Sequence, residues 1–153
     1  MITVSMLPHA MYYVIYDGSC NLCVNLVKAL ETIDQGQRFR YIPMQDDATL
    51  SLLRVTPQTC QAGMIVIDQD DPQQRWQGSD AAEKIGQLLP ASQPVVAAYL
   101  SVPGLKSMGD RVYAQVRDNR YRLFGKRQQV YQSAYPVDLG SGDVPAGTSS
   151  TGS

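Results

Sequence analysis

The chain has 153 residues, which fits one domain whose core is large enough to fold without disulfide staples or a structural metal. Its 13 Lys and Arg residues nearly balance 14 Asp and Glu residues, so the formal net charge of -1 creates no overall field that would attract nucleic acid or an anionic surface. Three cysteines are too few for a secreted disulfide scaffold. The chain begins without a secretory signal pattern and has no run long enough to span a membrane, which favours a soluble cytoplasmic protein.

The first part of the chain predicts a β-α-β unit. Residues 11–16 form an apolar, aromatic and β-branched run that ends at an Asp-Gly pair, as a buried strand ends at a turn. Ser19 can cap the next helix, in which apolar residues recur at three- and four-residue spacing until about Gly36. Residues 38–44 alternate as a second strand. Two strands joined by a crossover helix are normally parallel.

The next part of the chain predicts a second helix, a hairpin and a third helix. Residues 46–55 are typical of a short helix. Two short runs at 64–68 and 75–77 are separated by turn-forming residues and predict a hairpin. Ser79 or Asp80 can cap the helix that follows. The order β-α-β-α-β-β-α predicts an α/β fold with a mixed central sheet.

The chain beyond the predicted sheet divides into a helical part and a polar tail. We interpret residues 11–90 as the core and residues 91–127 as a helical C-terminal extension packed on it. Residues 1–10 are expected to be a flexible N-terminus. Residues 128–153 are expected to be a disordered tail, because the end of the chain is rich in Gly, Ser, Pro and Thr.

Cys20 and Cys23 are separated by two residues at the start of the first predicted helix. Residues one helical turn apart meet the distance that a disulfide requires. Unpaired backbone N–H groups and the helix dipole favour a thiolate at Cys20. Cys23 lies one turn deeper and is expected to be more buried and to stay protonated. This asymmetry predicts that Cys20 attacks a disulfide and that Cys23 resolves the mixed intermediate.

The C-x-x-C spacing leaves two other interpretations open. The pair can be half of a zinc site, for which Cys60 and His9 are the other candidate ligands, although neither brings a second paired motif. It can also be an inert structural pair. Redox chemistry is favoured because the pair follows a strand and begins a helix within a β-α-β unit.

Two more residues near the motif carry alternative interpretations. Asp17 can accept or relay a cysteine proton if partial burial raises its pKa, or it can simply hold the turn after the strand. Cys60 precedes the third predicted strand, and it can form an alternative disulfide with Cys20 or be a small packed residue.

The C-terminal extension is strongly basic between residues 105 and 127. It contains two acidic residues and seven basic ones: Lys106, Arg111, Arg117, Arg120, Arg122, Lys126 and Arg127. Such a helix can be a solvated face or can dock an anionic partner. The alternative function is therefore a redox-sensitive binding module, in which the state of Cys20 and Cys23 governs docking of this helix.

Four segments of the chain together resemble one known family. They are YDGSCNLC at 16–23, RFRYIPMQ at 38–45, GSDAAEKI at 78–85 and DNRYRLFGKR at 118–127. The sequence resembles the DCC family of predicted thiol–disulfide oxidoreductases over about residues 12–127. The resemblance implies a thioredoxin-like fold, with Asp17, Cys20 and Cys23 at the positions to which the family name refers.

The leading interpretation is therefore thiol–disulfide exchange through Cys20 and Cys23. It implies no metal or organic cofactor, and it requires an unidentified disulfide substrate and an electron donor such as a thioredoxin, glutaredoxin or glutathione system. The chain departs from the thioredoxin-like pattern at one point, because Ala62 and Gly63, rather than a cis-proline, precede the third strand. Gly63 can allow close approach of a substrate backbone, but the departure weakens the expectation of an extended peptide substrate.

Overall fold

The computed structural model describes residues 11–137. Its four strands are β1 (Tyr12–Tyr16), β2 (Phe39–Pro43), β3 (Ile65–Asp68) and β4 (Arg75–Gln77). They form one sheet with the order β2-β1-β3-β4. β1 pairs in parallel with β2 and antiparallel with β3, and β3 pairs antiparallel with β4. The predicted β-α-β unit and the predicted hairpin are therefore both present in a mixed sheet.

The described residues contain seven helices. They are α1 (Asn21–Asp34), α2 (Asp47–Leu52), α3 (Pro57–Cys60), α4 (Ser79–Leu88), α5 (Gln93–Ser101), α6 (Leu105–Asp118) and α7 (Arg120–Phe124). Over the same residues, no helix combines the length and the apolarity that crossing a bilayer requires. The mixed sheet with α1 as its crossover helix confirms the predicted thioredoxin-like α/β fold.

β1 is the central strand, and all five of its residues are buried. Its side chains alternate between the two faces of the sheet. Tyr12, Val14 and Tyr16 join a core that includes residues of α1 and α4. Tyr13 and Ile15 join the opposite core with residues of α2 and α3. Because full burial of an aliphatic side chain such as Val14 or Ile15 contributes about 1.5–3 kcal/mol, β1 anchors the residues that follow it.

The prediction of one helix over residues 46–55 is wrong in its length, because α2 ends at Leu52. Asp46 caps α2 by accepting a hydrogen bond from the Thr49 N–H at 3.2 Å. The helix cannot continue past Arg54, whose φ of 60° is left-handed. Thr56 then caps the short helix α3, which the sequence pattern did not predict because four residues carry no visible period.

The predicted side-chain cap of the helix near residue 80 is also wrong. Gly78 is the N-cap residue of α4, with a φ of 67° that favours glycine, and no side chain caps the helix. Asp80 and Glu83 instead form ion pairs with Lys106 of α6. A tertiary ion pair has therefore replaced the local capping box.

The segment after residue 127 differs from the predicted disordered tail. The Tyr41 N–H donates to the Tyr135 carbonyl at 3.0 Å, and the Val137 N–H donates to the Tyr41 carbonyl at 3.2 Å. Residues 135–137 therefore lie beside β2, whose outer edge would otherwise present unpaired backbone groups. The rest of the predicted tail, 138–153, and the predicted flexible N-terminus, 1–10, lie outside the described residues.

Candidate active site

Three strand ends meet at the edge of the sheet where the two-cysteine motif lies. β1 and β2 run in parallel and end side by side at Tyr16 and Pro43. β3 runs in the opposite direction, with Ile65 paired to Ile15, so the residues just before β3 lie at the same edge. The topology therefore brings the loops after β1 and β2 together with the loop before β3.

Cys20 and Cys23 share the first turn of α1. Cys20 is the N-cap residue, a position that the sequence pattern wrongly predicted for Ser19. The Cys20 Sγ accepts a hydrogen bond from the Cys23 backbone N–H at 3.5 Å. Both cysteines are free thiols in this structure. A sulfur at this position is stabilised as a thiolate by that N–H and by the positive end of the helix dipole.

The order of burial within the pair is the reverse of the prediction. Cys20 is 0% exposed, whereas Cys23 is partly exposed. Burial still raises the pKa of the Cys23 thiol to about 12, and negative charge at Cys20 and Asp17 contributes to the rise. The two observations agree because Cys23 lines a cavity with apolar walls rather than open solvent. Cys23 therefore remains a thiol at neutral pH, as predicted, but not because it is the more buried sulfur.

Cys20 is buried because a C-terminal segment crosses over the motif. We call residues 125–131 the strap. Its residue Lys126 pairs with Cys20 in an isolated antiparallel bridge. The backbone hydrogen bonds between the strap and the motif are Asn21 N–H to Gly125 O, 3.3 Å; Arg127 N–H to Ser19 O, 2.6 Å; and Tyr131 N–H to Gly18 O, 3.0 Å. The strap is more than 100 residues distant from Cys20 in sequence, so the local pattern around Cys20 did not predict it.

Asp17 is a buried carboxylate that accepts four hydrogen bonds. Its Oδ1 accepts from the Ser19 N–H at 2.9 Å and from Gln45 Nε2 at 3.0 Å. Its Oδ2 accepts from Arg120 Nε at 3.2 Å and from the Tyr121 hydroxyl. Burial alone would raise the pKa of Asp17, but the donated hydrogen bonds and the charge of Arg120 outweigh it and hold that pKa below its ordinary value. Asp17 is therefore ionised at neutral pH.

The network around Asp17 corrects one prediction and adds residues that sequence analysis missed. The raised pKa expected for a proton-relaying Asp17 is wrong, because the α7 residues Arg120 and Tyr121 stabilise its charge. The Ser19 N–H bond shows that Asp17 also holds the turn after β1. The signal for Arg120 and Tyr121 was present in the DNRYRLFGKR segment, but Arg120 was counted only as part of a basic face.

Much of the basic charge of the C-terminal extension is neutralised inside the molecule. Lys106 pairs with three carboxylates, Arg117 with one, and Arg120 with the buried Asp17. The carboxylate partners are Asp80, Glu83 and Asp110 for Lys106, and Asp118 for Arg117. These contacts leave less positive charge for the anionic docking surface that the sequence suggested.

A cavity of about 90 Å³ lies between α1, α6 and the strand ends. Cys23 and Cys60 line this cavity, whereas Cys20 does not. Half of the other lining residues have aliphatic or thioether side chains: Ile15, Leu22, Leu26, Met44, Met64 and Val116. Burial raises the pKa of the Cys60 thiol, and the charge of Asp17 adds to the shift. Cys60 thus shares a cavity with Cys23 rather than with Cys20, the partner that sequence analysis considered.

Tyr113 of α6 closes the cavity beside the start of β3. Its hydroxyl accepts a hydrogen bond from the Met64 N–H at 3.1 Å. Gly63 has a φ of 123°, and a Cβ on Gly63 would lie 2.9 Å from the Tyr113 hydroxyl oxygen. The space beside Gly63, which was expected to admit a substrate backbone, is therefore occupied by the Tyr113 side chain.

The donors considered for zinc do not form a cluster in the described part of the chain. Within residues 11–137, no three side chains of His, Cys, Asp or Glu lie close enough together to hold a metal ion. His9, one of the candidate ligands, lies outside these residues.

Comparisons with known proteins agree with the resemblance carried by the four segments. A chloroplastic DCC family protein of Arabidopsis thaliana is 29% identical over 113 residues, which cover 73% of this chain and 64% of the plant protein. The uncharacterized protein YuxK of Bacillus subtilis strain 168 is 28% identical over 116 residues, which cover 75% of this chain and 82% of YuxK. No solved structure matches this chain.

The match to a family model extends over most of the chain. The model described as DCC1-like thiol-disulfide oxidoreductase matches residues 14–126. This range includes Asp17, the two-cysteine motif and the α7 residues that bind Asp17. The chain therefore belongs to the DCC1-like thiol-disulfide oxidoreductase family.

Proposed function

We propose that this protein is a thiol–disulfide oxidoreductase that exchanges electrons through a Cys20/Cys23 dithiol–disulfide couple. The observation that carries the proposal is the position of Cys20 as the N-cap of α1, where its Sγ accepts the Cys23 N–H at 3.5 Å. Two cysteines in one helical turn are spaced for reversible disulfide formation. Membership of the family supports this class of activity.

The two cysteines of the couple have different chemical environments. Cys20 lies at the N-terminal end of α1, where the helix dipole and the Cys23 N–H favour negative charge on sulfur. Cys23 stays a thiol, with a pKa raised to about 12 by burial and by nearby negative charge. The surroundings of the two sulfur atoms thus favour negative charge at Cys20 over Cys23, and thiol–disulfide exchange proceeds through a thiolate.

Asp17 is a positioning residue in this proposal. Its lowered pKa makes it a weak proton acceptor at neutral pH, so a proton relay is not its main task. Its charge contributes to the raised pKa of Cys23, and its hydrogen bonds hold α7 beside the motif. Asp17 therefore adds to the burial that keeps Cys23 protonated, and it holds in place α7, which the strap follows.

The proposed reaction requires partners but no cofactor of its own. Two electrons move between sulfur atoms, so a disulfide substrate and a dithiol or thiol electron donor are sufficient. A thioredoxin, glutaredoxin or glutathione system can supply the electrons. A content of three cysteines, two of them in one C-x-x-C motif, fits a reducing compartment such as the cytoplasm.

An activity assay with cysteine variants tests the proposal. We expect the protein to catalyse thiol-dependent reduction of bis(2-hydroxyethyl) disulfide or insulin. Cys20→Ser and Cys23→Ser should each lower the rate by about 100-fold or more, as removal of a reacting group does. Leu52→Ser, which changes an exposed side chain on α2, is the control and should retain the wild-type rate. Equal rates for Cys20→Ser and Leu52→Ser would refute the proposed couple.

A further inference from the structure

We propose that a small apolar thiol enters the cavity beside α6 and reacts with the oxidised couple at the Sγ of Cys23, not at Cys20. This inference rests on the proposed function and adds the class of substrate and the sulfur that it meets. It reverses the order of contact that the sequence predicted, in which Cys20 was the first sulfur to react.

Access to the two sulfur atoms differs. Cys20 is 0% exposed beneath the strap, and the backbone hydrogen bonds of Asn21 and Ser19 with the strap close the approach. Cys23 is partly exposed and lines the cavity. Because the sulfur attacked in an exchange reaction depends on access as well as on thiol chemistry, the geometry favours Cys23.

The cavity walls select for an apolar ligand. The described arginines at the cavity already have partners, since Arg120 pairs with Asp17, and Arg117 pairs with Asp118 and donates to the Ala62 carbonyl. The remaining walls are mainly aliphatic and thioether side chains. A carboxylate that binds there would be desolvated and would have to compete with Asp17 and Asp118 for these arginines.

The cavity wall also offers little to a peptide backbone. The Met64 N–H at the start of β3 is already satisfied by the Tyr113 hydroxyl. β3 itself is paired on both sides, with β1 and with β4. An extended chain therefore cannot add to the sheet here by strand pairing. A cavity of about 90 Å³ instead suits one small side group, such as an alkyl or benzyl thiol.

The reaction step conserves atoms and electrons. The thiol loses its proton to solvent, and the resulting thiolate attacks the Sγ of Cys23. The Cys20–Cys23 bond breaks while a new disulfide bond joins the thiol sulfur to Cys23. The electron pair leaves with the Sγ of Cys20, so the small thiol is oxidised and Cys20 is reduced. Cys20 is a good leaving group because the Cys23 N–H and the start of α1 stabilise its thiolate.

Substitutions on α6 separate cavity binding from a general effect on the helix. Val116 lines the cavity, and Val112, one turn earlier, is 56% exposed and does not line it. Val116→Phe should slow reduction of the oxidised protein by benzyl mercaptan by about tenfold or more, because the ring fills the cavity. Val112→Phe should leave this rate unchanged. Equal rates for the two variants would overturn the assignment of the cavity.

Comparison of two thiols tests the chemical class. Benzyl mercaptan should reduce the oxidised protein about tenfold faster than glutathione, whose charges the cavity does not accommodate. Each rate is divided by the rate of the same thiol with an oxidised synthetic peptide of residues 16–28, which removes differences in intrinsic thiol reactivity. A normalised preference for glutathione would contradict an apolar substrate.

Mass spectrometry identifies the sulfur that is attacked. The oxidised protein is mixed with benzyl mercaptan and quenched in acid, which protonates the released thiolate and prevents the disulfide from closing again. Both cysteines lie in one tryptic peptide that ends at Lys28, so fragment ions between them locate the benzyl adduct. The adduct is expected on Cys23. An adduct on Cys20 would overturn this inference and leave the proposed couple intact. If the Cys20–Cys23 disulfide never forms, or never reacts with a thiol, the proposed function itself is refuted.

Discussion

At the scale of single residues, Asp17 is the most constrained group of the site. Its side chain is 4% exposed and that of its partner Arg120 is 11% exposed. A buried ion pair contributes little net stability by itself, but loss of one partner leaves the other charge buried and uncompensated. Asp17 is thus a structural link between the loop after β1 and α7 as well as a source of charge beside Cys23.

Replacement of Asp17 by asparagine tests this link. Asp17→Asn preserves the size of the side chain but leaves the Arg120 charge buried, so the free energy of unfolding should fall by about 3 kcal/mol. Urea denaturation measures the change. Asp118→Asn removes the partner of Arg117 in an exposed ion pair and should leave stability unchanged. Equal stabilities of the two variants would show that the buried pair does not anchor α7.

The lowered pKa of Asp17 also predicts how stability depends on pH. In the unfolded chain an aspartate titrates near about 3.9. Because the folded state holds the pKa of Asp17 below that value, its contribution is fully present above the unfolded pKa and is lost as the pH falls through the folded pKa. The difference in unfolding free energy between wild type and Asp17→Asn should therefore shrink between about pH 5 and about pH 2. A constant difference across this range would contradict the lowered pKa.

At the scale of elements, the strap decides which cysteine is reachable. It follows α7 directly, and Asn21 at the start of α1 donates through its side chain to the Phe124 carbonyl at 2.8 Å. Asn21 therefore binds the end of α7 through its side chain and the strap residue Gly125 through its backbone N–H. The first turn of α1, α7 and the strap thus form one hydrogen-bonded unit around Cys20.

Gly18 provides a way to displace the strap. A Cβ on Gly18 would lie 2.5 Å from Cγ1 of Val130, a stiff β-branched side chain. Gly18→Ala should therefore push the strap outward and increase the rate of Cys20 alkylation by iodoacetamide by about tenfold, through an overpacking cost of about 1–3 kcal/mol. Peptide mapping after brief labelling measures the rate.

A second substitution serves as the control for the Gly18 experiment. Val130→Ala in the Gly18→Ala background removes the closest steric conflict and should return Cys20 labelling towards the wild-type rate. If Gly18→Ala labels Cys20 no faster than wild type while the protein remains folded, the strap is not what protects Cys20.

At the scale of the whole molecule, the parts of the fold that depend on local patterns could be predicted. The apolar run of β1, the helical spacing of α1 and the hairpin of β3 and β4 each follow from neighbouring residues. The sheet order then follows from the parallel crossover and the hairpin. The placement of Cys20 and Cys23 in the first turn of α1 could likewise be predicted from neighbouring residues.

The missed features depend on residues that are distant in sequence. Arg120 is 103 residues from Asp17, and no local pattern shows that its guanidinium is buried rather than solvated. The burial of Cys20 depends on the strap, which includes the end of the predicted helical extension and the start of the predicted disordered tail. Tertiary contacts therefore determined both the pKa of Asp17 and the exposure of each cysteine.

The central claim is that Cys20 and Cys23 form the redox couple, and disulfide mapping across a redox titration tests it most directly. The protein is equilibrated in buffers of graded ratios of reduced to oxidised dithiothreitol, quenched in acid and mapped by mass spectrometry. We predict a single two-electron transition in which a Cys20–Cys23 disulfide appears while Cys60 stays a thiol, with the same disulfide in Cys60→Ser. A protein that stays fully reduced, or a disulfide that includes Cys60 instead, would contradict the account.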